Sequence, residues 1–191
     1  MTLQASFNHP VADAQHAFRR ILKAMSEPGT VVALPLQQRW GQVSPAATAA
    51  LLTLVDHETP VWLDAALSDD AVRSNLRFHT GAALAEDQAA PFALIQASSA
   101  IDFSRFAAGD DLAPEKSTTV IIDVAALAGG EPLRLSGPGL QAPRTVAPQL
   151  PAALCRYLCQ RANAFPQGID LILTSGTALM ALPRTTHVEV C

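Results

Sequence analysis

The sequence predicts an α/β fold of three layers, α/β/α, in which a mixed sheet of about seven strands carries helices on both faces. Three observations support this. Helix and strand signals alternate through the first two-thirds of the 191 residues, and alternation requires crossovers that leave neighbouring strands parallel. Residues 169–174 form an almost unbroken apolar run, β-branched at Ile169, Ile172 and Thr174, as expected of a strand covered on both faces. After Ser175-Gly176-Thr177, residues 178–182 return as a second strand, so the chain also contains a hairpin and an antiparallel neighbour.

Taken in order, residues 10–25 place Ala14, Phe18, Ile21, Leu22 and Met25 at helical spacing, and Ser26-Glu27-Pro28-Gly29 stops the helix. Residues 30–36 read as the first strand. Ser44-Pro45 is an N-cap followed by proline at the first helical position, opening an Ala/Leu-rich helix to about Val55. Residues 61–63 are the second strand. Ser68-Asp69-Asp70 caps a third helix running to about Phe78.

Residues 82–91 and 107–116 read as loops, 92–97 as the third strand and 102–107 as a short helix. Residues 117–124 are the fourth strand, with 132–136 as its hairpin partner. Pro151 opens a helix to about Asn163. Pro183 cannot donate to a ladder and interrupts the return strand. Beyond it, Thr185, His187 and Glu189 alternate with Thr186, Val188 and Val190, so the end of the chain should be tied into a sheet or a partner.

The composition fits one globular domain over residues 1–191, with 49% apolar and 16% charged residues. A net charge of −4 argues against broad nucleic-acid binding. No apolar run approaches the roughly 20 residues of a membrane helix. The first ten residues lack a basic stretch followed by an apolar one, and three cysteines without a framework fit a reducing cytoplasm.

Several groups could carry chemistry. Arg19, Arg20 and Lys23 on the first helix, Arg77 and His79 on the third, and Arg184 and His187 near the end suit a phosphate ligand or an acidic partner face. Asp170, among apolar neighbours, needs a partner or serves a site. Cys155 and Cys159 share a helical face, but buried structural thiols are the simpler reading, and Cys191 is unplaced. Asp56-His57-Glu58 reads as a solvated loop, and Ser136-Gly-Pro-Gly139 as a turn, since Pro138 removes a donor an anion would need. There is no G-x-S-x-G, H-E-x-x-H or C-x-x-C pattern.

Taken together, Phe18-Arg-Arg-Ile-Leu-Lys-Ala-Met-Ser-Glu-Pro-Gly29, Leu51-Leu-Thr-Leu-Val-Asp56, Thr59-Pro-Val-Trp-Leu63, Leu76-Arg-Phe-His-Thr80, Leu133-Arg-Leu-Ser-Gly137, Ala147-Pro-Gln-Leu-Pro151 and the tail from Phe165 resemble the PhnH family of the bacterial carbon–phosphorus lyase system. The resemblance implies a fold similar to the large domain of pyridoxal-phosphate-dependent transferases. It also implies a homodimer in isolation and a core complex with PhnG, PhnI and PhnJ that builds a ribose 1-alkylphosphonate 5-triphosphate from ATP and a phosphonate.

Only two lysines exist, Lys23 and Lys116, and neither belongs to a cofactor-binding pattern, so the scaffold is expected without pyridoxal phosphate. Three cysteines without cluster spacing place any iron–sulfur centre in a partner. The expectation is an accessory subunit without activity of its own. The rival is a phosphotransferase or nucleotide-binding enzyme acting alone, with Arg19, Arg20, Arg77 or Arg184 on phosphates and His79 or His187 moving protons; residual pyridoxal phosphate binding is a third reading.

Overall fold

A computed structural model describes residues 3, 4, 6–161 and 165–191. Helix α1 (Pro10–Ser26) starts on proline, whose missing N–H costs nothing in a first turn, and buries Ala17, Ile21 and Ala24. Strand β1 (Val31–Ala33) follows. Helix α2 (Pro45–Leu54) is capped by the Ser44 hydroxyl, which accepts the Ala47 N–H, and residues 46–51 are all buried. A helix buried on every side belongs inside a layer, and α2 packs against both α1 and α3.

Strand β2 (Val61–Leu63) leads to α3 (Asp70–Thr80), where Asp69 accepts the Val72 N–H. Gly81 ends α3 at φ +73°, a left-handed conformation that a side chain would strain. The remaining elements are β3 (Leu84–Ala85), β4 (Phe92–Gln96), β5 (Thr119–Asp123), β6 (Leu133–Ser136), β7 (Arg144–Val146), α4 (Ala152–Gln160), β8 (Asp170–Ser175), β9 (Ala178–Leu182) and β10 (His187–Val190). Among the described residues no helix is long and apolar enough to cross a membrane.

The main sheet has seven strands in the order β1-β9-β8-β5-β4-β2-β3. Strands β3, β2, β4, β5 and β8 run parallel, and β8-β9 and β9-β1 are antiparallel, so the sheet is mixed as expected. Side chains alternate between two cores. Leu94, Ile121 and Ile172 face α1, α2 and α3, whereas Ile95, Ile122 and Leu173 face the opposite side. Each such fully buried aliphatic side chain contributes about 1.5–3 kcal/mol.

That opposite side corrects the simple three-layer picture. It is covered by α4 together with a second sheet of three strands, β10-β6-β7, and not by helices alone. The expected hairpin of 117–124 with 132–136 does not form. β5 already has parallel neighbours on both edges, whereas β6 alternates buried Leu133 and Leu135 with exposed Arg134 and pairs with β7 and β10. Thus Pro183 marks where the chain leaves one sheet for the other, and the tail is tied down through Val188 opposite Leu135.

Smaller corrections follow the same logic. The loop 82–91 contains the edge strand β3, the helix at 102–107 is a single 3₁₀ turn at Phe103–Arg105, and β7 carried no apolar signal. The first strand stops at Ala33, short of 36. The expected end of the last helix at Asn163 lies outside the described residues.

Candidate functional site

In open α/β sheets ligands gather at the carboxyl ends of the parallel strands. Two buried carboxylates stand there, Asp64 just past β2 and Asp123 at the end of β5, each 6% exposed. Asp64 accepts the Gln96 N–H (3.2 Å), the Ala66 N–H (3.3 Å) and the Ser99 hydroxyl. Asp123 accepts the Ser44 N–H (2.8 Å) and the Thr174 hydroxyl (3.1 Å), which ties the start of α2 to the sheet. Burial pushes the Asp123 carboxyl above the usual aspartate range, against the pull of these donors.

The neighbouring cleft, about 310 Å³, is walled by Ile95, Ala97, Ile101, Phe103 and Leu154 and is largely apolar. Both acids therefore hold the chain's own loops. Sequence reasoning missed them, although an aspartate directly ending a short apolar run (Val61-Trp-Leu-Asp64, Val120-Ile-Ile-Asp123) was a usable signal.

At the amino end of β8, Asp170 is met by a partner. Its Oδ1 accepts the Arg184 N–H and its Oδ2 accepts Nη2 of the same arginine, both at 2.8 Å, while Arg184 Nη1 donates to the Pro114 carbonyl. Beside them Arg161 is 7% exposed and donates to the carbonyls of Leu182 (3.1 Å) and Pro183 (2.9 Å). Burial lowers its pKa to about 10, so it remains a cation at neutral pH. His187 is exposed on β10 and does not join this group.

The remaining candidates lie elsewhere. Arg19 is exposed, Arg20 donates to Nε2 of His16 (3.2 Å), and Lys23 pairs with Glu27 at 2.7 Å. His79 stacks on buried Trp40 (centroids 5.6 Å apart, planes 8°) with its Nε2 2.9 Å from the Gln4 carbonyl, so it anchors the N-terminal segment. The eight candidates thus fall into separate places on α1, on α3 and in the β8–β10 tail, and no single pocket gathers them.

Arg19 lines an open groove of about 400 Å³ with Phe18 and Thr53, whereas Arg77 joins a larger cleft. With Arg73, one turn earlier on α3, and with Phe78, Gly81, Ala83 and Leu84, it lines a groove of about 940 Å³ along the β3 edge. Sequence reasoning missed Arg73, whose i,i+4 spacing to Arg77 was the available clue.

The lysines do not fit pyridoxal phosphate. Lys23 is held by Glu27 on the outer face of α1, Lys116 is exposed in a 3₁₀ turn, and neither lines the clefts described above. Cys155 is buried on α4, where burial raises its thiol pKa, and Cys159 is half-buried. Cys191 is exposed, its N–H bonded to the Pro132 carbonyl. Among the described residues no group of three metal-ligating side chains converges. Asp56-His57-Glu58 is exposed, as expected. Ser136-Gly-Pro-Gly139 is a turn packed on the end of α1, where a Cβ on Gly139 would collide with the Ser26 carbonyl.

This arrangement defines a class: an α/β domain whose interior charges serve its own backbone, with cations at one sheet edge that meet no carboxylate among the described residues. The chain belongs to the PhnH family, since the model of that family, described as bacterial phosphonate metabolism protein, matches residues 5–189. It is 38% identical over 188 residues to the alpha-D-ribose 1-methylphosphonate 5-triphosphate synthase subunit PhnH of Rhizobium meliloti, covering 96% of this chain and 94% of the relative. It is 35% identical over 182 residues to HtxG of Stutzerimonas stutzeri, described as a putative C-P lyase subunit protein, covering 92% of this chain and 86% of that protein.

Proposed function

We propose that the protein is an accessory subunit of a bacterial phosphonate-degrading complex, one that forms a ribose 1-alkylphosphonate 5-triphosphate from ATP and a phosphonate. It contributes contact surface there, and the bond-breaking groups reside in its companions. The observation that carries this reading is kinship over nearly the full length of both chains with a protein named as a synthase subunit. The interior supports it: Asp64, Asp123, Asp170, Arg161 and Arg184 are all engaged by the chain's own groups.

Companions equivalent to PhnG, PhnI and PhnJ, a homodimer in isolation and a cytoplasmic location belong to the same proposal. So does a scaffold akin to the large domain of pyridoxal-phosphate transferases, working with neither that cofactor nor an iron–sulfur cluster of its own. Co-expression with the other core subunits tests the reading. The chain should co-purify at fixed stoichiometry, and alone it should not turn over ATP and methylphosphonate. Recovery of this chain as a free species while the rest assembles, or turnover by the isolated chain, would refute the proposal.

A further inference from the structure

The groove along β3 joins three features that the fold itself leaves unused. The first is an open sheet edge. β2 and β3 pair in parallel with Val61 opposite Leu84, and the Val61 N–H donates to the Ala83 carbonyl at 2.9 Å. In a parallel ladder the bonds to β2 therefore fall on residues 83 and 85, which turns the N–H and C=O of Leu84 away from the sheet. Strand β3 is last in the order, and among the described residues no strand pairs with its outer side. An uncovered edge of this kind is a template for an added strand.

The second feature is apolar: Phe78 is 63% exposed and Leu84 38% exposed, and both wall the groove. The third is charge. Arg73 and Arg77 project from successive turns of α3, and among the described residues neither has a carboxylate within ion-pair distance. Glu86 and Asp87 are exposed just past β3 and outside the lining, so the basic character is confined to the stretch from Arg73 to Leu84.

We infer that this groove docks an extended, acidic segment of a partner protein, added as an outer strand on β3, with an apolar side chain against Phe78 and Leu84 and carboxylates on Arg73 and Arg77. The inference rests on the subunit reading and says where one of the contacts is made. Other occupants fit less well. A nucleotide would leave the β3 edge unpaired and would make no use of its outward N–H and C=O. A second copy docked about a two-fold axis would bring its own Arg73 and Arg77 to the same contact, like charge against like.

The test uses the assembly obtained by co-expression with the core subunits and measures how much of the chain is retained on a tagged companion. Wild type and Lys116→Glu, a charge reversal away from the groove, should be retained equally. The double variant Arg73→Glu/Arg77→Glu should lose retention by at least about tenfold, because each lost charge contact becomes a repulsion. Leu84→Pro, which removes the outward N–H but keeps the bonds at 83 and 85, should lose retention as well while circular dichroism stays native.

Retention of both groove variants at the wild-type level would overturn the inference, as would an equal loss with Lys116→Glu. It would also fall if Arg73→Glu/Arg77→Glu changed the sedimentation of the isolated chain, which would indicate a second copy, or abolished a calorimetric signal with ATP. If wild type itself is not retained, the subunit reading fails and takes this inference with it.

Discussion

Two pairs of ionic side chains in this protein are used in opposite ways. Arg184 and Asp170, 17% and 13% exposed, close on each other and on the Arg184 N–H and the Pro114 carbonyl at the foot of β8. Arg73 and Arg77 stand exposed over a wide groove with no acid among the described residues to meet them. A largely desolvated ion must be paired and hydrogen-bonded or it destabilises the fold, whereas a solvated one can wait for a partner. The comparison teaches that burial and hydrogen-bond partners separate charges that build this molecule from charges available to others. Residue type alone does not.

Breaking the inner pair should have the largest effect. Asp170→Ala leaves Nη2 and the backbone N–H of Arg184 without their acceptor and the guanidinium charge unpaired, and should cost about 3 kcal/mol. Calorimetry should read this as a fall in Tm of roughly 10 °C; a fall under about 2 °C would mean the inner pair is dispensable and the contrast false.

The next test concerns Asp123, whose carboxyl burial holds above the ordinary range. The native state binds its proton more tightly than the unfolded chain does. Its contribution is therefore complete below the unfolded pKa, near about 4, and is lost as pH rises through the native one. Asp123→Asn keeps an acceptor for the Ser44 N–H and removes the charge. Wild type should thus lose stability relative to the variant across that window, measured as urea midpoints at a series of pH values. A difference that does not change with pH would show that the carboxyl does not titrate abnormally.

The outer pair should give the smallest effect on the fold. Arg73→Ala and Arg77→Ala should each move Tm by less than about 2 °C. A larger loss would place these arginines with the structural charges and sharpen the comparison against the docking reading.

Much of this fold was legible in the sequence, because the signals that placed it are local. The run from Ile169 to Thr174 announced a central strand, and Ser44-Pro45 and Ser68-Asp69-Asp70 announced helix starts. Strand partners were harder, since pairing is a long-range choice. Leu133-Arg-Leu-Ser136 reads as a strand by itself, but nothing in it says that its neighbours are β7 and β10 and not β5. β3, two residues long, and β7, with only Val146 packed on the core, lack the periodicity that would reveal them.

For the site, the resemblance to the PhnH family was readable from long motifs, and the family match upholds it. That Arg19, Arg77, Arg184 and the histidines lie apart was not, because the sequence around a basic residue does not say which side of the sheet it occupies. Asp170 reads from the sequence as either a partnered buried acid or a site residue, and only the structure supplied Arg184 as its partner.

Hydrogen exchange of the backbone, compared between the isolated chain and the assembled complex, tests the contrast between these two regions most directly. Amides of β8 and those around Arg184 should exchange slowly and equally in both states, and the amide of Leu84 should slow by at least about tenfold on assembly. Unchanged exchange at Leu84 in a complex that does contain the chain, or protection appearing at β8 instead, would contradict this account.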